Sequence, residues 1–321
     1  MLTRLAAAML ATALLAVSPA SAQKFPERTV RIVVPFAAGG GVDTLARLFA
    51  EKLQAKFGTA VIVENRAGAN GTLGGQYVLQ SPPDGHTILF SASTHVGARL
   101  VMSKAPYDPI ADFTHIARMG EAPMLVVMAP DRPEKTLAEA VDAARKNPDK
   151  WTAATAALGS PGHLAMIALS NAANFKPTII PYRGTAPALN DIAGGHVQLY
   201  IDAMLALLPM AESGKIKALA VTTAKRTALA PDLPTAAESG VPGFDAKSWY
   251  GFWGPKGMPP EIVTRLNAEI ATATRELAQE GKLAKLGVEP VTETPEQFAK
   301  FAAAEVARNA ELLKSVNFQP E

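Results

Sequence analysis

The feature that most constrains this fold is the stretch Val30–Phe57, where a short apolar run leads through a glycine-rich turn into an amphipathic segment. The β-branched residues within 30–33 predict a buried strand. Segment 37–41 then offers almost no side chain, and from Val42 onward apolar residues recur with helical spacing. The sequence therefore predicts a strand, a turn and a helix start in direct succession.

A helix start that follows a glycine-rich turn is a favourable place for an anion. The first amides of a helix lack backbone acceptors, and the helix dipole adds partial positive charge there. We therefore expect the turn at 37–41 to bind a carboxylate or a phosphate. Close packing alone would also explain such a turn. A nucleotide site is the weaker alternative, because neither G-x-x-x-x-G-K-[ST] nor a complete G-x-G-x-x-G is present.

Residues 1–22 have the pattern of a signal peptide. Arg4 precedes an apolar segment at 5–17, and small residues at 20–22 form a cleavage site. The apolar segment is shorter than a membrane span requires. We expect a mature chain that begins near Gln23 and is exported to the periplasm. Because the chain contains no cysteine, its stability there has to come from the core.

Composition and length limit which fold classes and which binding partners are plausible. The charge is nearly balanced, with 31 Lys+Arg against 29 Asp+Glu and no basic run, which argues against nucleic-acid binding. The roughly 300 residues after the signal peptide suffice for two α/β domains, each with its own core. Strands alternate with helices, which predicts mostly parallel sheets with ligands beyond the carboxyl ends of the strands. Strands at 113–120 and 124–128 flank an expected domain crossing.

Two further segments are expected near the same ligand. Residues 91–95 follow a predicted strand as a loop, so the hydroxyls of Ser93 and Thr94 lie beyond its carboxyl end. Segment 152–171 repeats the opening layout, with a short strand, a small-residue turn at 156–163 and a helix. We therefore expect a second anion-facing helix start in the second domain, and a cleft between the two domains.

The second turn places a serine close to a histidine. A nucleophile elbow needs G-x-S-x-G, and Ser160 stands one place too early for it. We interpret Ser160 as a ligand or helix-cap hydroxyl, with an exported serine hydrolase using Ser160 and His163 as the competing function. His163 either donates a ring N–H to the ligand or packs against the domain wall. The five histidines are dispersed, so a metal site is not expected.

Three charged residues are further candidates. Arg183, beside Gly184 in a turn, either reaches a carboxylate or pairs with Asp191 at the surface. Asp43 is interpreted as structural, since a carboxylate in the first helical turn stabilises the helix start. Asp202 follows a strand, where it either holds water or a cationic ligand group, or caps the next turn.

Several motifs in this order resemble one family, the Bug (TctC-like) solute-binding receptors of tripartite tricarboxylate transporters. The matching residues are Pro35-Phe36 with Gly39-Gly40, Asp43 and Ala46-Arg47; Glu64-Asn65-Arg66 with Gly68-Ala69, Gly71 and Gly74; Pro83-Asp84-Gly85 with Thr87; Gly159-Ser160 with His163-Leu164; Tyr182-Arg183-Gly184 with Pro187-Ala188 and Gly194-Gly195; Leu233-Pro234-Thr235 with Glu238 and Gly240; and the segment 249–255.

The resemblance implies a fold, a function and a set of site residues. The fold is a two-lobed α/β Venus flytrap of type II periplasmic topology, with lobe I at 23–124 plus 250–321 and lobe II at 125–249. The function is non-enzymatic capture of a small mono- or dicarboxylate, including aromatic acids. One carboxylate is held by the turns 36–40 and 155–163, partly through ordered water. The implied ligand-binding residues are Phe36, Ala37, Ala38, Gly39, Gly40, Ser93, Thr94, Thr155, Gly159, Ser160, His163, Arg183, Gly184 and Asp202.

The resemblance also implies the partners of the protein. A monomeric receptor without cofactor or metal delivers the carboxylate to TctA/TctB-like membrane subunits. A sensory partner that presents ligand to a membrane kinase is an alternative that the sequence does not separate from a transport receptor.

Overall fold

The computed structural model describes residues 25–320. The predicted signal peptide, residues 1–22, and the expected first mature residue, Gln23, lie outside the described residues. None of the described helices is long and apolar enough to cross a membrane.

Strands and helices alternate along most of the described chain. The strands are β1 Val30–Val34, β2 Val61–Asn65, β3 Thr87–Ala92, β4 Phe113–Met128, β5 Thr152–Thr155, β6 Thr178–Pro181, β7 Leu199–Ala203, β8 Lys217–Val221, β9 Lys247–Pro255 and β10 Glu289–Pro290. The α-helices are α1 Gly41–Phe57, α2 Thr72–Leu79, α3 Thr94–Val101, α4 Leu137–Lys146, α5 Pro161–Ala172, α6 Thr185–Ala193, α7 Met204–Glu212, α8 Pro260–Gln279, α9 Lys282–Lys285 and α10 Pro295–Ser315.

The strands form one mixed sheet in the order β2-β1-β3-β9-β4-β7-β5-β6, and β8 and β10 also pair with β4. Parallel pairs lie at both ends, where β1 pairs with β2 and β3, and β5 pairs with β6 and β7. The central strands β4 and β9 run antiparallel to each other. We use lobe I for β1–β3, β9, β10 and the first part of β4 with their helices α1–α3 and α8–α10. Lobe II comprises the rest of β4, β5–β8 and α4–α7.

The connection between the lobes differs from the prediction. The sequence predicts two separate strands at 113–120 and 124–128, but the structure has the single strand β4. Its partner changes in the middle: Pro123 pairs with Lys247 of β9, and Met124 pairs with Ala203 of β7. A proline without an N–H is tolerated in this strand because the ladder changes partner at that point.

One helix of the structure was not predicted, and two others begin earlier than the sequence predicts. Residues 91–95 were expected as a loop, but Ser91 and Ala92 belong to β3, and α3 begins at Thr94. The apolar pattern of the sequence predicts helices at 187–193 and 209–213, but α6 begins at Thr185 and α7 begins at Met204. Proline is common at the first position of a helix, which is why Pro209 was predicted to start one. In the structure Pro209 lies inside α7.

Helix α1 is anchored in the largest apolar cluster of lobe I, which Ala157, Ala203 and Leu205 of lobe II also join. Leu45, Phe49 and Leu53 are fully buried, as the helical spacing predicts. The ring of Phe49 packs edge-on against Phe252 of β9, with centroids 5.4 Å apart. The start of α1 is therefore held rigidly at the carboxyl end of β1.

A smaller apolar cluster joins the two lobes away from this turn. It combines Val101 of α3 and Leu313 of α10 with Leu158 and Ile167 of lobe II. These contacts place the start of α5 against lobe I, so the two helix starts lie at one interlobe gap.

Candidate functional site

The start of α1 is open toward the gap between the lobes. Gly40 precedes the helix in an extended conformation, and among residues 25–320 no side chain caps this helix start. The first backbone bond of the helix is the one from the Thr44 amide to the Gly40 carbonyl, at 3.0 Å. The amides of Gly41, Val42 and Asp43 therefore have no acceptor within the helix. This end of α1 is suited to an anion.

Asp43 holds the shape of the turn before this helix start. Its carboxylate accepts the Gly39 amide at 3.0 Å, the Asn65 side-chain amide at 3.0 Å and two guanidinium bonds from Arg47 at 3.0 Å. Burial raises the pKa of Asp43, but these donors outweigh that effect and leave the pKa lowered. The interpretation of Asp43 as a structural residue agrees with these contacts, although it caps the turn rather than the helix.

The start of α5 differs from that of α1, because it is closed by its own side chains. The Ser160 hydroxyl accepts the His163 amide at 3.2 Å, and the Ser160 amide donates to the Ala157 carbonyl. The Gly159 amide donates to Nδ1 of His163 at 3.0 Å. The expectation of a second open cluster of amides is therefore wrong for Gly159, Ser160 and His163.

These contacts also decide the alternatives for Ser160 and His163. The Thr155 hydroxyl donates to the Ala157 carbonyl and lies 2.9 Å from the Ser160 hydroxyl. Since His163 Nδ1 is occupied by the Gly159 amide, it does not accept a proton from Ser160. Burial lowers the pKa of His163 to about 4, and its ring packs edge-on against Phe318. Ser160 is a helix cap and His163 is a packed histidine.

The lobes touch on both sides of the gap. A side chain at Gly184 of lobe II would lie 3.3 Å from the Ala37 amide of lobe I. A Cβ on Gly97 of α3 would lie 2.5 Å from the Gly159 carbonyl oxygen. The glycines thus allow the two turns to approach each other closely.

An interlobe cavity lies at the start of α1. Its wall is mostly apolar, with a few hydroxyl and carboxylate groups among the apolar side chains. The lining residues are Phe36, Ala37, Gly40, Gly41, Val42, Asp43, Ala92, Thr94, Ala156, Ser160, Pro161, Thr185, Asp202, Ala203, Ala206, Ser248 and Tyr250. An apolar pocket with a few convergent polar groups is typical of a site for a small molecule.

The structure brings six of the predicted site residues to this cavity and leaves eight outside its lining. Those on the wall are Phe36, Ala37, Gly40, Thr94, Ser160 and Asp202. Those outside the lining are Ala38 and Gly39, which are exposed, Ser93, Thr155, Gly159, His163, Arg183 and Gly184. Three of these residues affect the cavity only indirectly, because they fix the shape of the turn at Ser160; they are Thr155, Gly159 and His163.

Arg183 lies in a second, adjacent groove. This side groove, with an empty volume of about 550 Å³, is lined by Phe36, Gly68–Gly71, Ala156, Ala157 and the segment 181–183. Arg183 is exposed and forms no ion pair among the described residues. The alternative pairing with Asp191 is not observed, and Asp191 accepts the Tyr182 hydroxyl at 2.6 Å instead. The Arg183 guanidinium is therefore available at an opening beside the cavity.

Asp202 contributes the one carboxylate of lobe II on the cavity wall. It accepts the Thr185 hydroxyl at 2.6 Å, the Ala203 amide at 2.7 Å and the Tyr200 hydroxyl. Burial is the largest influence on its pKa and raises it, while these three donors act in the opposite direction. The alternative that Asp202 caps the next turn agrees with its bond to the Ala203 amide.

Sequence reasoning missed three polar residues of the cavity wall: Thr185, Ser248 and Tyr250. Thr185 was hidden because the start of α6 was predicted two residues too late. Ser248 and Tyr250 lie on β9, which the sequence marks only as an aromatic strand. Their alternation along that strand was the available signal, since residues two apart lie on the same face.

No group of three or more His, Cys, Asp or Glu residues between 25 and 320 has the arrangement of a metal site. The polar groups of the interlobe cavity are instead amides, hydroxyls and single carboxylates. They are suited to binding an organic molecule by hydrogen bonds.

Known proteins with the same architecture bind solutes. Residues 45–318 match the family described as "Tripartite tricarboxylate transporter family receptor" (TctC). The periplasmic binding protein BugD is 36% identical, and the match covers 92% of this chain and 100% of BugD with a TM-score of 0.88. This similarity confirms the predicted two-lobed α/β periplasmic-binding-protein fold.

Two further solved structures contain small acids. The Rhodopseudomonas palustris protein Rpa4515 with adipate is 37% identical, with 92% of this chain and 100% of that chain covered and a TM-score of 0.89. MatC (Rpa3494) from Rhodopseudomonas palustris with bound malate is 34% identical, with 90% and 100% covered and a TM-score of 0.85. The family and these neighbours are solute-binding proteins and not enzymes.

Proposed function

The chain belongs to the receptor family of tripartite tricarboxylate transporters, and from this premise we propose that it captures a small organic carboxylate in the interlobe cavity. The ligand is a mono- or dicarboxylate, including aromatic acids, and the protein acts without chemistry on it. It then delivers the acid to TctA/TctB-like membrane subunits from the periplasm, as a monomer.

The observation that carries this proposal is the uncapped start of α1 on the wall of the interlobe cavity. The amides of Gly41, Val42 and Asp43 need an acceptor, and they line the cavity between the lobes. A ligand carboxylate supplies both the acceptor atoms and the negative charge that this helix end favours. The apolar wall, which includes Phe36 and Ala92, accommodates the carbon skeleton.

Two further features support the proposal. The neighbours with adipate and malate show that this architecture is compatible with small acids. The signal-peptide pattern at 1–22 and the similarity to a periplasmic binding protein support export. We propose that lobe I (23–124 plus 250–321) and lobe II (125–249) move as units. A ligand that touches both lobes then stabilises the closed form.

A thermal-shift comparison of acids with their amides tests the proposal. The purified mature chain is mixed with aliphatic and aromatic carboxylic acids and, in parallel, with the uncharged amide of each acid. A bound acid raises the melting temperature because it binds only the folded chain. At least one acid is expected to raise it while its amide does not. Equal shifts for acids and amides, or no shift by any acid, would contradict the proposed site.

A further inference from the structure

The turn that precedes α5 borders a second pocket as well as the interlobe cavity. This rear pocket has a volume of about 350 Å³, which is within the range of sites for small molecules. It shares no lining residue with the interlobe cavity. Its apolar wall is formed by Leu158, Ile167, Phe175, Ile179, Val316 and Phe318. The rear pocket is therefore a separate candidate site.

Both lobes contribute to the wall of the rear pocket. Val316 and Phe318 follow α10 of lobe I, and the other four apolar residues belong to lobe II. Helix α10 itself contacts α5, and Leu313 belongs to the apolar cluster that joins the lobes. The ring of Phe318 packs edge-on against that of His163, with centroids 5.7 Å apart. A molecule in this pocket therefore contacts both lobes.

His163 contributes a hydrogen-bond donor to the rear pocket, which it lines. Its Nδ1 accepts the Gly159 amide, so in the neutral ring the proton is on Nε2. Burial lowers the pKa of His163 to about 4, which keeps the ring neutral near pH 7. Among residues 25–320 the side chain bonds only through Nδ1, although the residue is 1% exposed. Buried donors are almost always paired, so water or a bound molecule supplies the acceptor for Nε2.

The charge of the rear pocket is positive. Lys176, in the loop between α5 and β6, lines the pocket, and no aspartate or glutamate does. Lys176 is exposed and forms no ion pair with any residue from 25 to 320. An anionic group in the pocket therefore meets an ammonium group and a neutral N–H donor, without repulsion from a neighbouring carboxylate.

We propose that the rear pocket binds an apolar monocarboxylate. Its hydrocarbon part packs on the apolar wall, while its carboxylate accepts from Nε2 of His163 and pairs with the Lys176 ammonium. This second site does not rest on the proposed function of the interlobe cavity. Because its occupant touches both lobes, binding favours the arrangement of the lobes described above.

Three probes with one chain length separate the contributions of charge and apolar contact: octanoate, octanol and octylammonium. Isothermal titration uses the unmodified mature chain and Gly40→Asp, which puts a negative charge at the start of α1. Octanoate is expected to bind both chains alike, octanol more weakly, and octylammonium not at all.

Variants of the rear pocket then locate the site. Lys176→Gln should reduce the affinity for octanoate about threefold to fivefold, as for an exposed ion pair, without a change for octanol. Phe318→Ala should weaken both probes about fivefold to tenfold, because apolar contact is lost. Lys146→Gln is the matched control and should change neither, since Lys146 is likewise exposed and without an ion pair in the described part of lobe II.

The outcomes of these titrations are distinct. If octanoate does not bind Gly40→Asp, or if its affinity is the same in Lys176→Gln and Phe318→Ala as in the unmodified chain, the rear site is overturned although the interlobe site stands. If octanol binds as tightly as octanoate, the selection for an anion is overturned. Retained binding in Gly40→Asp that Lys176→Gln weakens supports the rear site, even if no acid occupies the interlobe cavity.

Discussion

The Gly159 amide donates to Nδ1 of His163 at 3.0 Å. This bond closes the turn before α5 within a single helical turn, and it requires the imidazole to be neutral at Nδ1. Burial supports the same state, since it lowers the pKa of His163 to about 4. The turn is therefore sensitive to acid.

His163→Asn is expected to make folding less sensitive to acid. In the unfolded chain the pKa of this histidine is about 6.5, whereas in the folded protein it is about 4. Between these two pH values the unfolded chain binds a proton that the folded chain does not. The neutral His163 therefore contributes its full share to the free energy of unfolding above pH 6.5, and this contribution is lost as the pH falls from 6.5 toward 4. Asn keeps an acceptor near Nδ1 but does not titrate. Urea unfolding at pH 7 and pH 4.5 should show about 2 kcal/mol less acid destabilisation in the variant. An unchanged pH dependence would contradict this. His196→Asn, at an exposed position, is the control.

Gly40→Asp is expected to abolish carboxylate binding while the fold is kept. Gly40 has an extended backbone, and an added Cβ would meet the Thr185 Cβ at 3.5 Å, an ordinary contact. An aspartate there caps α1 favourably but puts a negative charge where the ligand acid is proposed to lie. Affinity measured by titration should fall about a hundredfold or more. Gly40→Ala should bind the acid with nearly unchanged affinity. Gly40→Asn should lose less affinity for the acid than Gly40→Asp does. Equal losses for Asn and Asp would rule out the charge as the cause.

Asp43→Ala is expected to lower both stability and affinity. The change leaves the Gly39 amide and the Asn65 amide without their acceptor, which costs about 1 to 3 kcal/mol in the free energy of unfolding. The turn that precedes α1 then loses its fixed shape. Arg47→Ala is the matched control, because the Arg47 side chain is 55% exposed and such an ion pair contributes less than about 1 kcal/mol. A larger effect from Arg47→Ala than from Asp43→Ala in urea unfolding would contradict this ranking.

Gly97→Ala is expected to lower both stability and affinity, although alanine is the better helix former. Alanine stabilises helix α3 by about 0.5–1 kcal/mol relative to glycine. Its Cβ, however, would meet the Gly159 carbonyl oxygen of lobe II at 2.5 Å, so the lobes cannot approach as closely. Affinity for the carboxylate should fall about tenfold, and the melting temperature of the free protein should fall as well, because the backbone oxygen of Gly159 cannot turn aside as a side chain can. Small-angle scattering with ligand should show a larger radius of gyration than for Gly40→Ala. Unchanged affinity would show that this contact does not limit closure.

Much of the cavity was predictable from local patterns, because strands, turns and helix starts are set by neighbouring residues. The apolar spacing of α1 predicted the buried face at Leu45, Phe49 and Leu53. The turn at 37–41 predicted an open helix start, and the structure has one. At α5 the same local pattern misled, because Ser160 and His163 satisfy the amides of their own turn. The competition between such internal partners and a ligand depends on side-chain directions that the residue order does not specify.

The sequence by itself determined the two-lobed α/β architecture, the position of both turns and the family. The α/β alternation and the turns follow from apolar periodicity and from glycine and proline positions, which act over a few residues, whereas the two-lobed fold and the family follow from the resemblance of the motifs. Only the tertiary structure decided that Arg183 lies in the side groove and that Asp202 and Tyr250 share a wall. Those two residues come from β7 and β9, in different lobes, and β4 lies between them in the sheet. Their proximity is a consequence of strand pairing across the whole chain, which no local pattern encodes.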